Sequence, residues 1–213
     1  GKTYNMHRTW QFDIAGALRP GTNVLRITFH SPVQYMRGQQ NRHAVWGQSD
    51  TMEGFAHIRK ASYMFGWDWA PKLPDVGIFR PVTWLSYQTD RLEEVRLRQH
   101  HRGGQVKLLL DIRTRHHASN LQYHVAIHGP EYQYEADLTG PCAEVLIDKP
   151  QLWWPNGLGE QPLYTVCVSL VHQGAVIDTW QRRIGLRTLT VSTAADRWGS
   201  EFCFVVNGVK VFA

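Results

Sequence analysis

Residues 121–127 read Leu-Gln-Tyr-His-Val-Ala-Ile, and Leu, Tyr, Val and Ile occupy every second position. Successive side chains of a β-strand point to opposite faces, so this period of two predicts a strand with one buried face. The same period recurs at residues 106–112, 144–147 and 164–171. Turn sequences rich in Gly, Pro, Asn and Asp separate these runs. The pattern predicts an all-β fold.

The spacing of the predicted strands divides the chain. Between residues 89 and 187 the runs follow each other at roughly 8–12-residue intervals, which is typical of an immunoglobulin-like β-sandwich. A boundary lies near residues 86–91, after the predicted strand at 81–85. We therefore assign a partial domain to residues 1–88, the sandwich to 89–187, and the start of a further domain to 188–213.

The region before the boundary is less regular. Residues 23–29 alternate and predict a strand. Residues 32–53 lack strand alternation, and within them residues 36–43 predict either a short helix or an irregular loop. Long loops in compact domains are commonly binding elements. The chain is expected to start in the middle of a sandwich, so that this region is the later part of that domain.

The last residues predict a hairpin. Apolar runs at 202–206 and 209–212 flank Asn207-Gly208, and Asn-Gly accepts positive φ at both central positions of a two-residue type I′ turn. A single hairpin is at best marginally stable in water. The chain is therefore expected to stop just as a new domain begins.

Composition excludes several classes of function. The 213 residues carry 23 Lys and Arg against 18 Asp and Glu, a net charge of +5 that is spread along the chain without the interleaved aromatics of a nucleic-acid platform. The sequence contains no run of 18 apolar residues, so no membrane-spanning helix is predicted. The three cysteines are far apart and form no Cys-x-x-Cys pair, so neither a disulfide framework nor a zinc ribbon is predicted. On strands, the His doublets at 100–101 and 116–117 would point successive rings to opposite faces, which is poor geometry for one metal ion. We expect no nucleic acid, membrane or metal partner.

One short segment carries candidate binding chemistry. Residues 59–71 read Arg-Lys-Ala-Ser-Tyr-Met-Phe-Gly-Trp-Asp-Trp-Ala-Pro, which places the carboxylate of Asp68 between the indoles of Trp67 and Trp69. Flat aromatic faces beside an anionic acceptor suit a sugar ring, which has apolar faces and hydroxyl donors. The residues alone equally allow a buried aromatic turn in which Asp68 accepts hydrogen bonds from nearby backbone N–H groups.

Five blocks in order resemble a known family. They are Arg59-Lys60 with Phe65-Gly66-Trp67-Asp68-Trp69-Ala70-Pro71, Gly77-Ile78-Phe79-Arg80-Pro81-Val82, the block from Leu152-Trp153-Trp154-Pro155-Asn156-Gly157 to Tyr164, Ile184-Gly185-Leu186-Arg187, and the closing hairpin. Together they resemble glycoside hydrolase family 2. The Arg-Lys pair and the Trp-Asp-Trp sequence resemble its β-mannosidase branch. The likeness covers nearly the whole chain.

The resemblance implies a domain order and an activity. It implies the C-terminal part of a sugar-binding jelly roll, then the immunoglobulin-like sandwich, then the first hairpin of a (β/α)₈ barrel. In such proteins two barrel glutamates perform retaining hydrolysis. No glutamate of this chain lies in a motif like theirs, so no catalytic residue is assigned. The implied parent is an exo-β-mannosidase that releases terminal β-mannose from oligosaccharides without a cofactor.

The resemblance also assigns the substrate-binding residues. Asp68 would accept hydroxyl hydrogen bonds from the terminal mannoside, and Trp67 and Trp69 would wall the pocket. The sequence departs from the family pattern at Ala70, where glycine is usual. The methyl group matters only if the backbone there needs a positive φ.

Two other parts of the motifs are predicted to be structural. The block at 153–157 is expected to form a turn and strand of the sandwich, because Trp buries a large area and Asn-Gly turns the chain. Arg59 and Lys60 are expected to anchor the loop through charge-assisted bonds to carboxylates or carbonyls, although they could instead face the pocket.

The sequence also allows two alternative functions. Within enzymes, the parent could be an exo-β-glucosaminidase or another family relative, because the sugar preference depends largely on the barrel. In a different class, the chain could be a stand-alone carbohydrate-binding module.

Overall fold

The computed structural model describes residues 1–212, which form two compact units that divide between Trp84 and Leu85. The second unit contains all of the β-strands. They are β1 (Leu92–Arg102), β2 (Gln105–Thr114), β3 (Leu121–Gly129), β4 (Tyr132–Leu138), β5 (Cys142–Asp148), β6 (Tyr164–His172), β7 (Ala175–Ile184), β8 (Leu189–Ser192), β9 (Ala195–Asp196), β10 (Gly199–Ser200), β11 (Cys203–Val206) and β12 (Val209–Val211).

Two antiparallel sheets build the main body of the second unit. One has the order β1-β2-β5 and the other β4-β3-β6-β7. In β3, Val125 lies opposite Val168 of β6, and in β2, Leu108 lies opposite Val145 of β5. All four side chains are buried, at no more than 1% exposure. The all-β prediction and the strands predicted at 106–112, 121–127, 144–147 and 164–171 are therefore confirmed.

The core lies between the two sheets. Alternation places the apolar member of each strand inward and the polar member in solvent, as the sequence pattern requires. The buried residues come from both sheets and from the segment after β7. They are Leu92, Val95, Val106, Leu108, Leu110, Ile112, Tyr123, Val125, Ile127, Val145, Ile147, Tyr164, Val166, Val168, Leu170 and Leu186.

The predicted C-terminal hairpin is also present. Strands β11 and β12 pair through Val206 and Val209, and β11 pairs on its other side with β8. Asn207 and Gly208 have φ of 49° and 83°. Positive φ at both turn residues is the type I′ geometry that the Asn-Gly sequence predicts.

The first unit contains one α-helix, α1 (Pro32–Arg42), and short 3₁₀ turns. The hydroxyl of Ser31 caps α1 by accepting the N–H of Gln34 at 3.3 Å, and Pro32 occupies the first turn, where its missing N–H costs nothing. Met36 buries one face of the helix at 1% exposure. Of the two alternatives for this segment, the helix is correct.

Two predicted strands are wrong. Residues 23–29 and 81–85 are assigned to no strand, and Val24 and Val82 are 87% and 62% exposed. A β-strand needs a neighbour for its backbone N–H and C=O groups. Within the described residues of the first unit the β pairing consists of isolated bridges, and none involves these segments. The alternating pattern indicates which face is apolar, but it does not supply the partner strand.

Candidate functional site

The Trp-Asp-Trp turn stands on a buried aromatic base. Phe65 is fully buried, and its ring centroid lies 5.7 Å from that of Phe55. The Phe65 carbonyl accepts the N–H of Met52 at 2.9 Å, and an antiparallel bridge joins Thr51 to Gly66. The start of the turn is therefore fixed by packing and by backbone hydrogen bonds.

Two consecutive residues then take left-handed backbone conformations. Gly66 has φ of 100°, and a Cβ there would lie 2.7 Å from the Lys72 side chain and 3.2 Å from the Asp50 carbonyl oxygen. Trp67 follows with φ of 63° and donates its N–H to that same carbonyl at 3.3 Å. A non-glycine residue at positive φ is uncommon. The hydrogen bond to Asp50 fixes this conformation of Trp67, and its indole is partly exposed to solvent.

The structure answers the question raised by Ala70. Ala70 is not among the residues with positive φ. Its methyl group therefore introduces no backbone strain, and the departure from the family pattern does not distort the turn. The left-handed positions are Gly66 and Trp67, and the one at Trp67 was not predicted from the sequence.

The two indoles and the carboxylate are presented to solvent. Trp67 and Trp69 are 42% and 55% exposed, and their rings meet edge to face with centroids 4.5 Å apart at 74°. Asp68 lies between them and is exposed. Within residues 1–212 its carboxylate makes no hydrogen bond or ion pair. The buried turn with a backbone-bonded Asp68 is therefore not the observed arrangement.

Lys60 anchors the segment that follows the turn. Its Nζ donates to the carbonyl of Asp75 at 2.8 Å, which confirms the anchoring prediction for this residue. Arg59 contributes through its backbone, because its carbonyl accepts the N–H of Met6 at 3.0 Å. The Arg59 guanidinium makes no hydrogen bond or ion pair within the described residues, so charge-assisted anchoring by this side chain is wrong.

Gln40 is a structural residue of this unit that the sequence did not reveal. Its side-chain amide both donates to the carbonyl of Val45 and accepts the N–H of Val45, each at 3.1 Å. Its Oε1 also lies 2.9 Å from Nε2 of His57. One glutamine thus ties the end of α1 to the chain that leads into the turn.

Two family models match the chain. Residues 1–80 match the model described as glycosyl hydrolase 2 galactose-binding domain-like. Residues 91–187 match the model described as glycosyl hydrolases family 2. The chain belongs to glycoside hydrolase family 2.

Curated relatives of this family 2 chain carry the name beta-mannosidase B. The proteins from Aspergillus flavus and Aspergillus fumigatus are 32% and 33% identical to it over 220 residues, covering 98% of this chain. A solved β-D-mannosidase from Dictyoglomus thermophilum superposes with a TM-score of 0.75 at 26% identity, covering 85% of this chain and 24% of that protein. The chain spans only 26% of the length of the curated relatives.

The second family block is structural and contains the predicted turn, but its predicted strand is wrong, because residues 149–163 are assigned to no strand and β6 begins only at Tyr164. The Trp153 N–H donates to the Leu186 carbonyl and the Trp154 N–H to the Glu160 carbonyl, both at 2.9 Å. Gln161 closes the turn by donating to the Trp154 carbonyl at 3.2 Å and to the Asn156 side chain at 3.1 Å. Both indoles are half-buried. These bonds hold the block against the sandwich of the family 2 fold.

Two carboxylates of the second unit are bound by neighbouring side chains. Glu94 is held by Arg96, and Glu201 accepts hydrogen bonds from Lys210 and Ser192. The hydrogen bond from Lys210 and that from Ser192 lower the pKa of Glu201, which keeps its carboxylate ionised.

Within residues 1–212 no group of three or more His, Cys, Asp or Glu is placed to hold a metal ion. That part of the chain also includes no helix that is long and apolar enough to span a membrane.

Proposed function

We propose that the chain is a non-catalytic portion of a retaining exo-β-mannosidase that removes terminal β-D-mannose from oligosaccharides. In this proposal residues 1–88 belong to a sugar-binding domain and supply the substrate-contacting loop. Residues 89–187 form the linking sandwich, and residues 188–213 open a (β/α)₈ catalytic domain.

The observation that carries the proposal is the exposed Trp67–Asp68–Trp69 turn in a chain whose relatives are named β-mannosidases. A carboxylate without a partner among the described residues is ready to accept two hydroxyl hydrogen bonds. The exposed indole surfaces beside it supply rigid apolar contact at low entropic cost. The fixed base at Phe65 preorganises these groups before the sugar arrives.

Asp68 acts as a binding residue in this proposal. Retaining hydrolysis requires an acid/base and a nucleophile whose carboxyl groups lie about 5–5.5 Å apart. A single carboxylate cannot supply both groups. Asp68 therefore orients the terminal sugar, and the reacting pair belongs to the proposed catalytic domain.

The test is the activity of the full-length protein on p-nitrophenyl β-mannoside with Asp68 intact and replaced by alanine. Hydrogen bonds to charged groups contribute about 1.5–3 kcal/mol, so Asp68→Ala is expected to lower kcat/KM by about 10- to 150-fold. Glu53→Gln is the matched control, because it removes one negative charge from an exposed side chain close to the base of the turn. It is expected to leave kcat/KM within about twofold.

The same assay separates the alternative functions. If the enzyme hydrolyses the β-glucosaminide or another glycoside faster than the mannoside, the proposed substrate is wrong. Membership of glycoside hydrolase family 2 is unaffected by that result. Binding of mannosides without hydrolysis by the full-length protein would favour a carbohydrate-binding module. An unimpaired Asp68→Ala variant would show that the Asp68 carboxylate does not bind the substrate.

A further inference from the structure

The turn of the C-terminal hairpin is bonded to two other segments through one side chain. Oδ1 of Asn207 accepts the N–H of Thr188 at 2.9 Å, and the Asn207 N–H donates to the Thr188 carbonyl at 3.1 Å. Nδ2 of Asn207 donates to the carbonyl of Trp153 at 3.0 Å. Asn207 thus connects the hairpin both to the segment before β8 and to the family block at 153–157.

Trp153 is itself fixed to the end of β7. A Cβ on Gly185 would lie only 2.7 Å from the Trp153 ring, so glycine permits a close approach of the indole to the backbone. The Trp153 N–H donates to the Leu186 carbonyl at 2.9 Å. The guanidinium of Arg187 lies 4.5 Å from the ring centroid, within cation–π range. Trp153 is therefore a firm attachment point on the sandwich.

We propose that Asn207 is a latch that fastens the hairpin β11–β12 to the Trp153 loop, and that it is a positioning residue for the domain that the hairpin opens. The position needs a side chain that accepts from one backbone and donates to another, which an amide does. It also needs tolerance of φ at 49°, for which asparagine is several-fold enriched. Asparagine meets both requirements.

The functional consequence rests on the proposed function. In a full-length family 2 enzyme the hairpin would be the first element of the catalytic domain. The bonds of Asn207 would then set the direction in which that domain leaves the sandwich. Because the side-chain oxygen and nitrogen of Asn207 are both bonded to backbone groups of Thr188 and Trp153, any effect on turnover would pass through the placement of the domain.

Hydrogen exchange on the full-length protein tests the latch with two variants, of which one keeps the acceptor for the Thr188 N–H and the other removes it. Asn207→Asp keeps the acceptor for the Thr188 N–H but replaces the donor to Trp153 with a carboxylate oxygen that repels the carbonyl. Asn207→Gly keeps the left-handed backbone and removes both side-chain bonds. The Trp153 N–H bonds to the Leu186 carbonyl, so its exchange reports how readily the Trp153 loop opens once the Trp153 carbonyl has lost its donor. Both variants are expected to speed this exchange at least about fivefold. Only Asn207→Gly removes the acceptor of the Thr188 N–H, and it is expected to speed exchange there by a similar factor.

Asn120→Asp is the matched control, since Asn120 also lies at positive φ, is exposed, and makes no side-chain hydrogen bond within the described residues. It is expected to change neither amide. Unchanged exchange at Trp153 in both Asn207 variants would overturn the latch. So would equal acceleration at Thr188 and Trp153 in Asn207→Asp, because it would indicate general loosening of the hairpin.

Activity is measured on the same samples. A severalfold fall of kcat/KM for the β-mannoside in Asn207→Asp, with Asn120→Asp unchanged, supports the positioning role. Faster exchange at Trp153 with unchanged kcat/KM keeps the fastening contact and overturns the positioning role. A wild-type protein that does not hydrolyse the mannoside would refute the proposed function alone, because the exchange result does not depend on activity.

Discussion

Replacement of Asp90 by alanine is expected to lower the free energy of unfolding of the second unit by about 3–5 kcal/mol. Asp90 is 1% exposed. Its Oδ1 accepts the N–H groups of Arg91 at 2.8 Å and His116 at 3.0 Å. Its Oδ2 accepts the N–H of Ala118 at 2.9 Å. Alanine would leave these donors without their acceptor and would release the turn between β2 and β3 from the segment before β1.

Urea unfolding followed by hydrogen exchange in peptides of β2 and β3 measures this loss. Asp137→Ala is the control, because that side chain is 91% exposed and, among residues 1–212, bonds only to His124. It is expected to change the free energy by no more than about 0.5 kcal/mol. Equal effects of the two substitutions would mean that the backbone around Asp90 is held by the strands alone.

The same carboxylate predicts a direction of pH dependence. Burial raises the pKa of Asp90, but the hydrogen bonds from Ala118, His116, Arg91 and Arg115 outweigh it, so the pKa lies below the ordinary value of 3.8. A lowered pKa in the folded state contributes stability above the ordinary value, and this stability is lost as pH falls through the folded pKa. The urea concentration at the unfolding midpoint of the second unit is therefore expected to decrease once the pH is lowered below about 4. In Asp90→Asn this decrease is expected to be less steep. An equal decrease of the urea midpoint in the wild type and in Asp90→Asn would show that other groups cause the loss of stability at low pH.

The sandwich was predictable because its pattern and its partners lie in one segment. Each strand from β1 to β7 pairs with another of these strands, so alternation along the sequence and burial in the structure agree. The residues at 23–29 show the same alternation and form no strand. The period of two indicates which face of a segment is apolar. A strand also requires a neighbouring strand to pair with, and the alternation does not indicate which segment that would be.

The candidate site was predictable in composition but not in shape. The sequence identified Trp67, Asp68 and Trp69 as a group suited to a sugar. It did not indicate the left-handed backbone of Trp67, whose N–H donates to the carbonyl of Asp50. That hydrogen bond joins two residues that are close in space but well separated in the chain. Hydrophobic pattern and local propensity carry no information on such contacts.

Tyr164→Ala is expected to be as damaging as the loss of Asp90, at about 3–5 kcal/mol. Tyr164 begins β6 at 1% exposure, and its hydroxyl accepts the N–H of Gln151 at 3.0 Å. Its ring fills the space above Gly129 at the end of β3, where a Cβ would lie only 2.2 Å from the ring carbon Cδ1. Removal of the ring would leave a cavity and free the chain at Gln151.

The absence of a Cβ at Gly129 makes the contact testable by a double-mutant cycle in urea unfolding. Gly129→Ala is expected to cost about 1–3 kcal/mol in the wild type, because the ring must leave its position to admit the methyl group. The same change is expected to be nearly neutral in Tyr164→Ala, since the space is then empty. Gly140→Ala is the control, as nothing lies within 4 Å of a Cβ there. Additive effects of Gly129→Ala and Tyr164→Ala would show that the ring does not determine the need for glycine, because residues that compete for one space must couple.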